Sequence, residues 1–368
     1  MIDPAACQSL GVSGPMQPSI FELEVPELDV GAVRVATRWS GVSVGTELAY
    51  VKGTDPGFTS YRDPDLAVFV PGRASRRYPV RTMGYMEVAE IVASRRTDLL
   101  EGTLVAGAYG HRSQHVLTAS DVIVPVPDDF DPMLGIYLAQ MGPICANGLL
   151  HAAAELAPGQ DVRLGDGVDG RNVLVTGAGV VGLLCAMLAQ LHGAADVVVA
   201  DPDPGRVAVA ENLGLETVDT TTTEIWRWCK NRWRHGPGDR GADLVLQCRG
   251  QSAVLHEALK CLRPQGCVLD LAFYQGEARD LRLGEEFHHN GLTIRCAQIG
   301  RVPRGLAATW DRRRLACETA HLMRVRGDDL RTHLLTDIVP LAEAPAALLA
   351  LARREHSTTQ MVLDFDVT

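Results

Sequence analysis

The chain of 368 residues carries 35 Lys and Arg against 45 Asp and Glu, for a net charge of −10, and 46% of its residues are hydrophobic. That length is more than one ordinary core needs and predicts two domains, while the acidic balance argues against nucleic acid as the main partner, since phosphate binding requires a basic footprint. No apolar run reaches the roughly 18 residues of a membrane span, the start MIDPAACQSLGVSG lacks the basic and apolar regions of a secretory signal, and nine cysteines without a CxxC pair read as buried hydrophobes of a reducing compartment. A cytoplasmic protein without nucleic-acid or membrane partners is the expectation.

In chain order, the first 140 residues show short alternating runs with many Gly and Pro. FELEVP (21–26), VRVATRWSG (33–41), GYMEVAEIV (84–92), TLVAGAYG (103–110) and QHVLTA (114–119) predict a small, mostly β barrel. Residues 52–80 are long and turn-rich, a loop or lid candidate; Tyr61, Arg62, Arg73, Arg76 and Arg77 could clamp an anion there, although solvated arginines are the preferred reading. His111 and His115 fall on barrel strands and read as structural histidines. Residues 164–170 look like a surface hairpin. From there short β-branched runs alternate with helical stretches, with strands expected at 172–176, 197–200, 216–218, 243–248, 266–273 and 292–299, the pattern of a parallel sheet with crossover helices. Helix 251–262 shows Val254, Leu255, Ala258, Leu259 and Leu262 at helical spacing. Helices near 309–326 and 341–353 and a closing strand, QMVLDF (360–365), have no place in a doubly wound sheet, so the tail is expected to complete the first domain. The predicted division is 1–149, 150–299 and 300–368.

Within the parallel region, RNVLVTGAGVVGLLCAMLAQ (171–190) and VVVADPD (197–203) place a strand, the glycine pattern Gly177, Gly179, Gly182, an apolar helix, a second strand and Asp201 in succession. That order is the dinucleotide fingerprint. Gly177 permits the tight turn, Gly179 with Val180 and Val181 lets helix N-terminal N–H groups reach a pyrophosphate, and Gly182 lets helix and strand pack closely. Asp201 is placed to accept hydrogen bonds from ribose hydroxyls, which favours NAD over NADP; Arg206 is the residue that could instead reach a phosphate. A methyltransferase is the weaker alternative for the same pattern. Since ligands bind outside the carboxyl ends of such strands, Cys248 and Arg249 after the fourth and Ala272, Phe273 and Tyr274 after the fifth are further cofactor candidates.

SGVSVGTE (40–47), MGYMEVAEIV (83–92), VTGAGVVG, DLVLQCRG (243–250), LTIRCAQ (292–298) and DIVPLAEAPAALLAL together resemble the medium-chain dehydrogenase/reductase superfamily over nearly the whole chain. The resemblance implies an α/β protein in which a Rossmann doubly wound, six-stranded parallel sheet is inserted into a GroES-like, mostly β catalytic domain, with cofactor and substrate in the cleft between and a homodimer or tetramer formed through the sheet's edge strand. The chain departs from the zinc-dependent members. Ser43, then Tyr85 and Met86 after Gly84, and Pro143 stand where those members carry ligands, Cys145 is two residues off, and residues 93–114 contain no cysteine for a structural zinc lobe. No zinc is therefore expected. The front of the chain is similar to the zinc-free branch that includes the hydroxyethyl-oxidising dehydrogenase of bacteriochlorophyll biosynthesis.

Without a metal, the protein itself must orient the substrate and handle a proton at its oxygen. The resemblance matches Thr46 to the hydroxyl that begins the proton relay of zinc relatives, Glu47 to the acid beside it, and Tyr85 to the missing histidine. The plainer readings are that Thr46 and Glu47 cap a helix and that Tyr85 fills volume. His288 and His289 could approach the nicotinamide side or form a surface turn. The expected function is a zinc-independent NAD(H)-dependent oxidoreductase interconverting a secondary alcohol and a ketone on a small or medium polar metabolite, in specialised biosynthesis. An NAD(P)H-dependent C=C reductase, a non-redox epimerase or eliminase, and an NAD sensor remain open.

Overall fold

The computed structural model describes residues 6–159 and 161–366. They form two compact units, one running to Gln140 and resuming at Leu335, the other Met141–Leu334. In the first, β1 (Ala6–Gly14) and β2 (Gln17–Glu24) make an antiparallel ribbon. The central strand β3 (Val33–Val42) leads into α1 (Val44–Lys52), which stops at Gly53 in a left-handed conformation, φ 71°. Next come β4 (Ser60–Arg62), β5 (Phe69–Pro71), β6 (Glu87–Ser94), β7 (Leu104–Gly107), β8 (Gln114–Leu117) and β9 (Val124–Pro125). Alternation puts Val33 and Val35 of β3, Ala89 and Ile91 of β6, Val105 of β7 and Leu117 of β8 into one buried cluster. The expected strands are present. β1 was not expected from the sequence, because Ser and Gly interrupt Cys7, Leu10 and Val12; it forms by pairing with β2 and by backbone bonds such as Val12 N–H to Val80 O, 2.7 Å.

The 52–80 segment is more structured than its composition suggests. Asp55 caps a single turn at Pro56–Phe58 by accepting from Gly57 N at 2.8 Å, and β4 pairs with β5. Arg73 lies over the Tyr61 ring at 4.5 Å and Arg76 over Tyr50 at 4.3 Å, so these two cations are engaged by local aromatic faces.

The second unit comprises α2 (Met141–Leu156), β10 (Asn172–Thr176), α3 (Val180–Leu191), β11 (Asp196–Asp201), α4 (Pro204–Asn212), β12 (Glu216–Asp219), α5 (Ile225–Arg232), the β13–β14 hairpin (Arg234–Gly236, Asp239–Arg240), β15 (Ala242–Gln247), α6 (Ser252–Cys261), β16 (Leu262–Asp270), β17 (Thr293–Cys296) and α7 (Arg312–His333). Its six-stranded sheet runs β12-β11-β10-β15-β16-β17, every neighbouring pair parallel. Counted within the unit this is 3-2-1-4-5-6, the Rossmann order. Val173, Leu174 and Val175 are each 0% exposed, as a parallel strand covered on both faces requires.

Two features differ from expectation. The unit begins at Met141 rather than 150 and ends at Leu334 rather than 299, because α7 packs on α2: a Cβ at Gly142 would lie 2.1 Å from Thr319 Cγ2, so only glycine admits this approach. Residues 164–170 are not a surface hairpin. Leu164–Gly167 is a single turn whose Leu164, with Val168, is buried against the unit, and a Cβ at Gly167 would meet the α2 backbone at Ala153 N, 2.3 Å. After α7 the chain returns to the first unit as β18 (Asp337–Pro340), α8 (Ala344–Arg353) and β19 (Met361–Asp364); β19 pairs antiparallel with β3, Met361 opposite Val42. The seven-stranded sheet then reads β18-β19-β3-β6-β7-β9, with β8 also on β3. Only this final part of the predicted tail completes the first domain. Among the described residues no helix is long and apolar enough to cross a membrane.

Replacing Gly167 by Ala is expected to destabilise the protein by about 2–3 kcal/mol, as overpacking against a fixed backbone does. Gly305→Ala, where a Cβ meets nothing within 4 Å, is expected to change stability by less than about 0.5 kcal/mol. Denaturant midpoints of the two variants check the contrast.

Candidate functional site

The candidate side chains gather at two places, one in each unit. In the Rossmann unit the buried strand β10 ends at Thr176 and the chain turns through Gly177, whose φ of 102° disfavours any side chain. Gly179 is the N-cap of α3 and supplies no side-chain bond, so the first-turn N–H groups, with Val180 and Val181 half-buried beside them, keep their donor capacity. A Cβ at Gly179 would meet nothing within 4 Å, whereas one at Gly182 would lie 1.8 Å from Gly177 O. One glycine leaves open space in front of a positive helix end, and the other permits the helix to sit on the turn.

Asp201 ends β11 as expected, but its carboxylate is not open to a ribose. The residue is 1% exposed; Oδ2 accepts from Ala178 N and Oδ1 from Asp203 N, each at 2.8 Å. It ties the glycine turn to the turn after β11. Asp203 then caps α4 by accepting from Gly205 N and Arg206 N, and Arg206 Nε is buried without a hydrogen-bond partner. Cys248 continues β15, its N–H bonded to Thr176 O at 3.0 Å. A Cβ at Gly250 would lie 2.1 Å from Phe273 O, so the chain after β15 and the chain after β16 run against each other. Ala272 N donates to Asp270 Oδ1 at 3.1 Å, and burial raises the Asp270 pKa; Phe273 is 44% exposed.

A cavity of about 440 Å³ opens at this end of the sheet, lined by Thr176, Ala200, Arg249, Val254 and the consecutive threonines Thr220–Thr223. Sequence reasoning missed the threonines. The rule that selected Cys248 and Ala272 selects them too, because they follow the carboxyl end of β12, the third strand. His288 and His289 lie elsewhere: they precede β17 and line a cavity with Arg171 and Gly266, at the amino ends of the strands. They stand at the opposite ends of the strands from the glycine turn.

In the mostly β unit, β3 and the start of α1 carry Ser40, Ser43, Thr46 and Glu47, the chain before and within β6 carries Tyr85 and Glu87, and the turn after β7 carries His111. Ser43 Oγ and Tyr85 OH are 2.5 Å apart, and Thr46 Oγ1 is 3.4 Å from the same phenol. Burial raises the Tyr85 pKa above that of a free phenol, against the hydrogen bonds from Ser43 and Thr46, so it stays neutral at physiological pH. Thr46 and Tyr85 thus come together, and Ser43 is the partner that sequence reasoning noticed only as a missing ligand. Glu47 points away from them, fully buried: Oε1 accepts from the N-cap Ser43 N–H at 2.7 Å and Oε2 is 2.8 Å from His111 Nε2. His111 Nδ1 is 2.6 Å from Ser40 Oγ, which is 3.1 Å from Glu87 Oε1. Burial works against charge on the imidazole, but Glu47 and Glu87 outweigh it and its pKa is raised. Burial with Arg112 lowers His115 to about 4, so that ring is neutral, stacked on Tyr109 at 5.2 Å.

Met86 is 0% exposed in the core. Pro143 lies in α2, as does Cys145, whose thiol is directed at Val181 O, 3.5 Å. Among the described residues the one group of three His, Cys, Asp or Glu side chains close enough to share an ion is His256, Glu285 and Glu286, which includes none of these positions.

The family described as zinc-binding dehydrogenase matches residues 180–311. The chain is 24% identical to D-guloside 3-dehydrogenase of Escherichia coli (strain K12) over 353 residues, 93% of this chain and 95% of that one. Among solved structures it is similar to galactitol-1-phosphate dehydrogenase of Escherichia coli, TM-score 0.74 at 17% identity over 97% and 100% of the two chains. A zinc-binding dehydrogenase of Sinorhizobium meliloti bound to NADP gives a TM-score of 0.73 at 17% identity over 98% and 99%. With the strand order 3-2-1-4-5-6, the glycine turn and the split mostly β unit on either side of it, these likenesses support the medium-chain dehydrogenase/reductase superfamily and show its fold.

Proposed function

We propose that the protein is an NAD(H)-dependent oxidoreductase that interconverts a secondary alcohol and a ketone on a polar, polyhydroxylated metabolite, and that it does so without catalytic zinc. The observation that carries the proposal is the hydroxyl cluster of Ser43, Thr46 and Tyr85, joined at 2.5 and 3.4 Å; the resemblance matches Ser43 and Tyr85 to metal ligands of zinc relatives and Thr46 to their relay hydroxyl. The likeness to a D-guloside 3-dehydrogenase over 93% of the chain supports a sugar-like alcohol. The open strand edge at β17, with Cys296 exposed, supports a homodimer or tetramer formed there.

A dinucleotide fits the Rossmann unit. The uncapped N-terminus of α3, the open space at Gly179 and the cavity beside Thr220–Thr223 would hold it. Bound there, it supplies the hydride acceptor or donor. A zinc ion does not fit: Ser43 and Tyr85 offer hydroxyls already bonded to each other, Met86 is in the core, and Pro143 has no ligand atom, so no nitrogen or thiolate donor stands at these positions. The chain's own groups must then manage the proton. Tyr85 is a neutral phenol that can donate a hydrogen bond to the substrate oxygen. On oxidation each hydroxyl can receive one proton and pass on its own, from the substrate to Tyr85 and on through half-buried Thr46 to water.

Buried Asp201 and the unpartnered Arg206 Nε favour a second reading in which the cofactor is NADP(H). Thermal unfolding separates the two: NADH is expected to raise the melting temperature more than NADPH at equal concentration, and the reverse order overturns the NAD assignment. Turnover of secondary alcohols from a panel of sugars and cyclitols is expected to fall about 10²–10⁴-fold in Tyr85→Phe, because the phenol relays the proton that leaves the substrate hydroxyl. A loss in Thr46→Ala with Tyr85→Phe unaffected reassigns the role to the threonine. Elemental analysis is expected to find no zinc in the active enzyme, and one zinc per chain overturns the metal-free reading.

A further inference from the structure

Behind the Ser43–Thr46–Tyr85 hydroxyls lies a group that the proposed reaction leaves without a role. His111, Glu47 and Glu87 are each 0% exposed, three ionisable side chains removed from water. The imidazole lies against Gly84, where a Cβ would come within 2.5 Å of His111 Cε1, so the residue before Tyr85 is glycine because the ring occupies its side-chain space. The charged groups facing the ring are Glu47 of α1, 2.8 Å from Nε2, and Glu87 of β6, 3.9 Å from Nδ1. Ser40 of β3 stands between Nδ1 and Glu87, and Glu87 Oε2 also accepts from Tyr109 N at 2.8 Å.

With both carboxylates ionised, the hydrogen-bond directions close in one arrangement. With a proton on each nitrogen, Nε2–H donates to Glu47 and Nδ1–H to Ser40 Oγ, whose own O–H donates to Glu87. A neutral ring then has one donor and leaves either Glu47 or this relay short, whereas a protonated Glu87, whose pKa burial raises, donates to Ser40 and lets Nδ1 accept; in both arrangements Nε2–H holds Glu47. Glu47 has a second obligation, because its other oxygen holds the backbone N–H of Ser43 at 2.7 Å. Displacing Glu47 therefore displaces the N-cap of α1, and with it the hydroxyls of Ser43 and Thr46.

We propose that His111 is a positioning residue of the reaction: clamped between the Glu47 and Glu87 carboxylates, it holds Glu47 on the Ser43 backbone and so sets the Ser43, Thr46 and Tyr85 hydroxyls against one another. The inference rests on the reading of those hydroxyls as the proton-handling site. Because the clamp raises the imidazole pKa, its contribution to stability is full below the unfolded histidine value and is lost as pH rises through the folded one.

The test uses the full chain as wild type, His111→Gln and Glu87→Gln, with Tyr85→Phe as the spectroscopic reference. Ultraviolet difference titration against Tyr85→Phe isolates ionisation of the Tyr85 phenol, and kcat and KM are followed across pH on the panel alcohol that wild type turns over best. In His111→Gln, Tyr85 is expected to titrate about half a unit or more from its wild-type midpoint, since Glu47 is no longer compensated. Its kcat is expected to fall about ten- to a hundredfold, as misplaced catalytic groups cause, with KM and NADH fluorescence titration as in wild type. A folded His111→Gln whose Tyr85 midpoint and kcat–pH profile are those of wild type overturns the proposal. Should His111→Gln fail to fold, Glu87→Gln decides: a displaced Tyr85 midpoint supports the clamp and an unmoved one overturns it. If wild type turns over no alcohol of the panel, the oxidoreductase reading fails by itself, and the Tyr85 titration still decides the clamp.

Discussion

A carboxylate taken out of water must find donors, and three such carboxylates organise this protein. Asp201 in the Rossmann unit and Glu47 and Glu87 in the mostly β unit are each 1% exposed or less. An isolated ionised carboxylate in an apolar interior is untenable, so each is met by backbone N–H groups or by an opposing charge. Asp201 takes the N–H groups of Ala178 and Asp203, which joins the glycine turn to the turn after β11. Glu47 takes the N–H of Ser43 and the imidazole of His111, which joins α1 to the turn after β7. Each connects backbone segments distant in sequence at the points where the candidate sites are built.

The two units achieve precision by different means. In the Rossmann unit the limiting dimension is backbone approach. α3 reaches the turn at Gly177 because Gly182 has no side chain, and α7 reaches α2 because Gly142 has none. In the mostly β unit the limiting quantity is the count of donors and acceptors, closed by His111 and Ser40. A mobile or solvated arrangement would satisfy the same groups with water, at the cost of fixed geometry for the hydroxyls of Ser43, Thr46 and Tyr85.

Much of the fold was legible in the chain because it rests on local pattern. The runs NVLVT and DVVVAD, the glycines between them and the turn signals of the first 140 residues identify strands, helices and the inserted order without reference to tertiary contacts. The parts that were not legible depend on partners far along the chain. β1 has a weak strand pattern and exists because β2 and Val80 supply its hydrogen bonds. Residues 164–170 carry the Gly and Asp of an exposed hairpin, yet Leu164 and Val168 are drawn under α2. The second unit extends to Leu334 because α7 packs on α2.

The sequence by itself determined the two-part architecture with its parallel sheet and the glycine turn, since each depends on residue type at a fixed spacing. Tertiary structure decided what those residues do. Asp201 has the expected identity and place, but its oxygens face Ala178 and Asp203; Glu47, by sequence a catalytic acid or a helix cap, holds the N-cap N–H of Ser43 with one oxygen and His111 with the other; His288 and His289 lie at the opposite ends of the strands from the fingerprint. Spacing along a chain states which residues are available, while the direction of a carboxylate or an imidazole is set by the donors that surround it after folding, and those come from strands and helices that only the fold brings together.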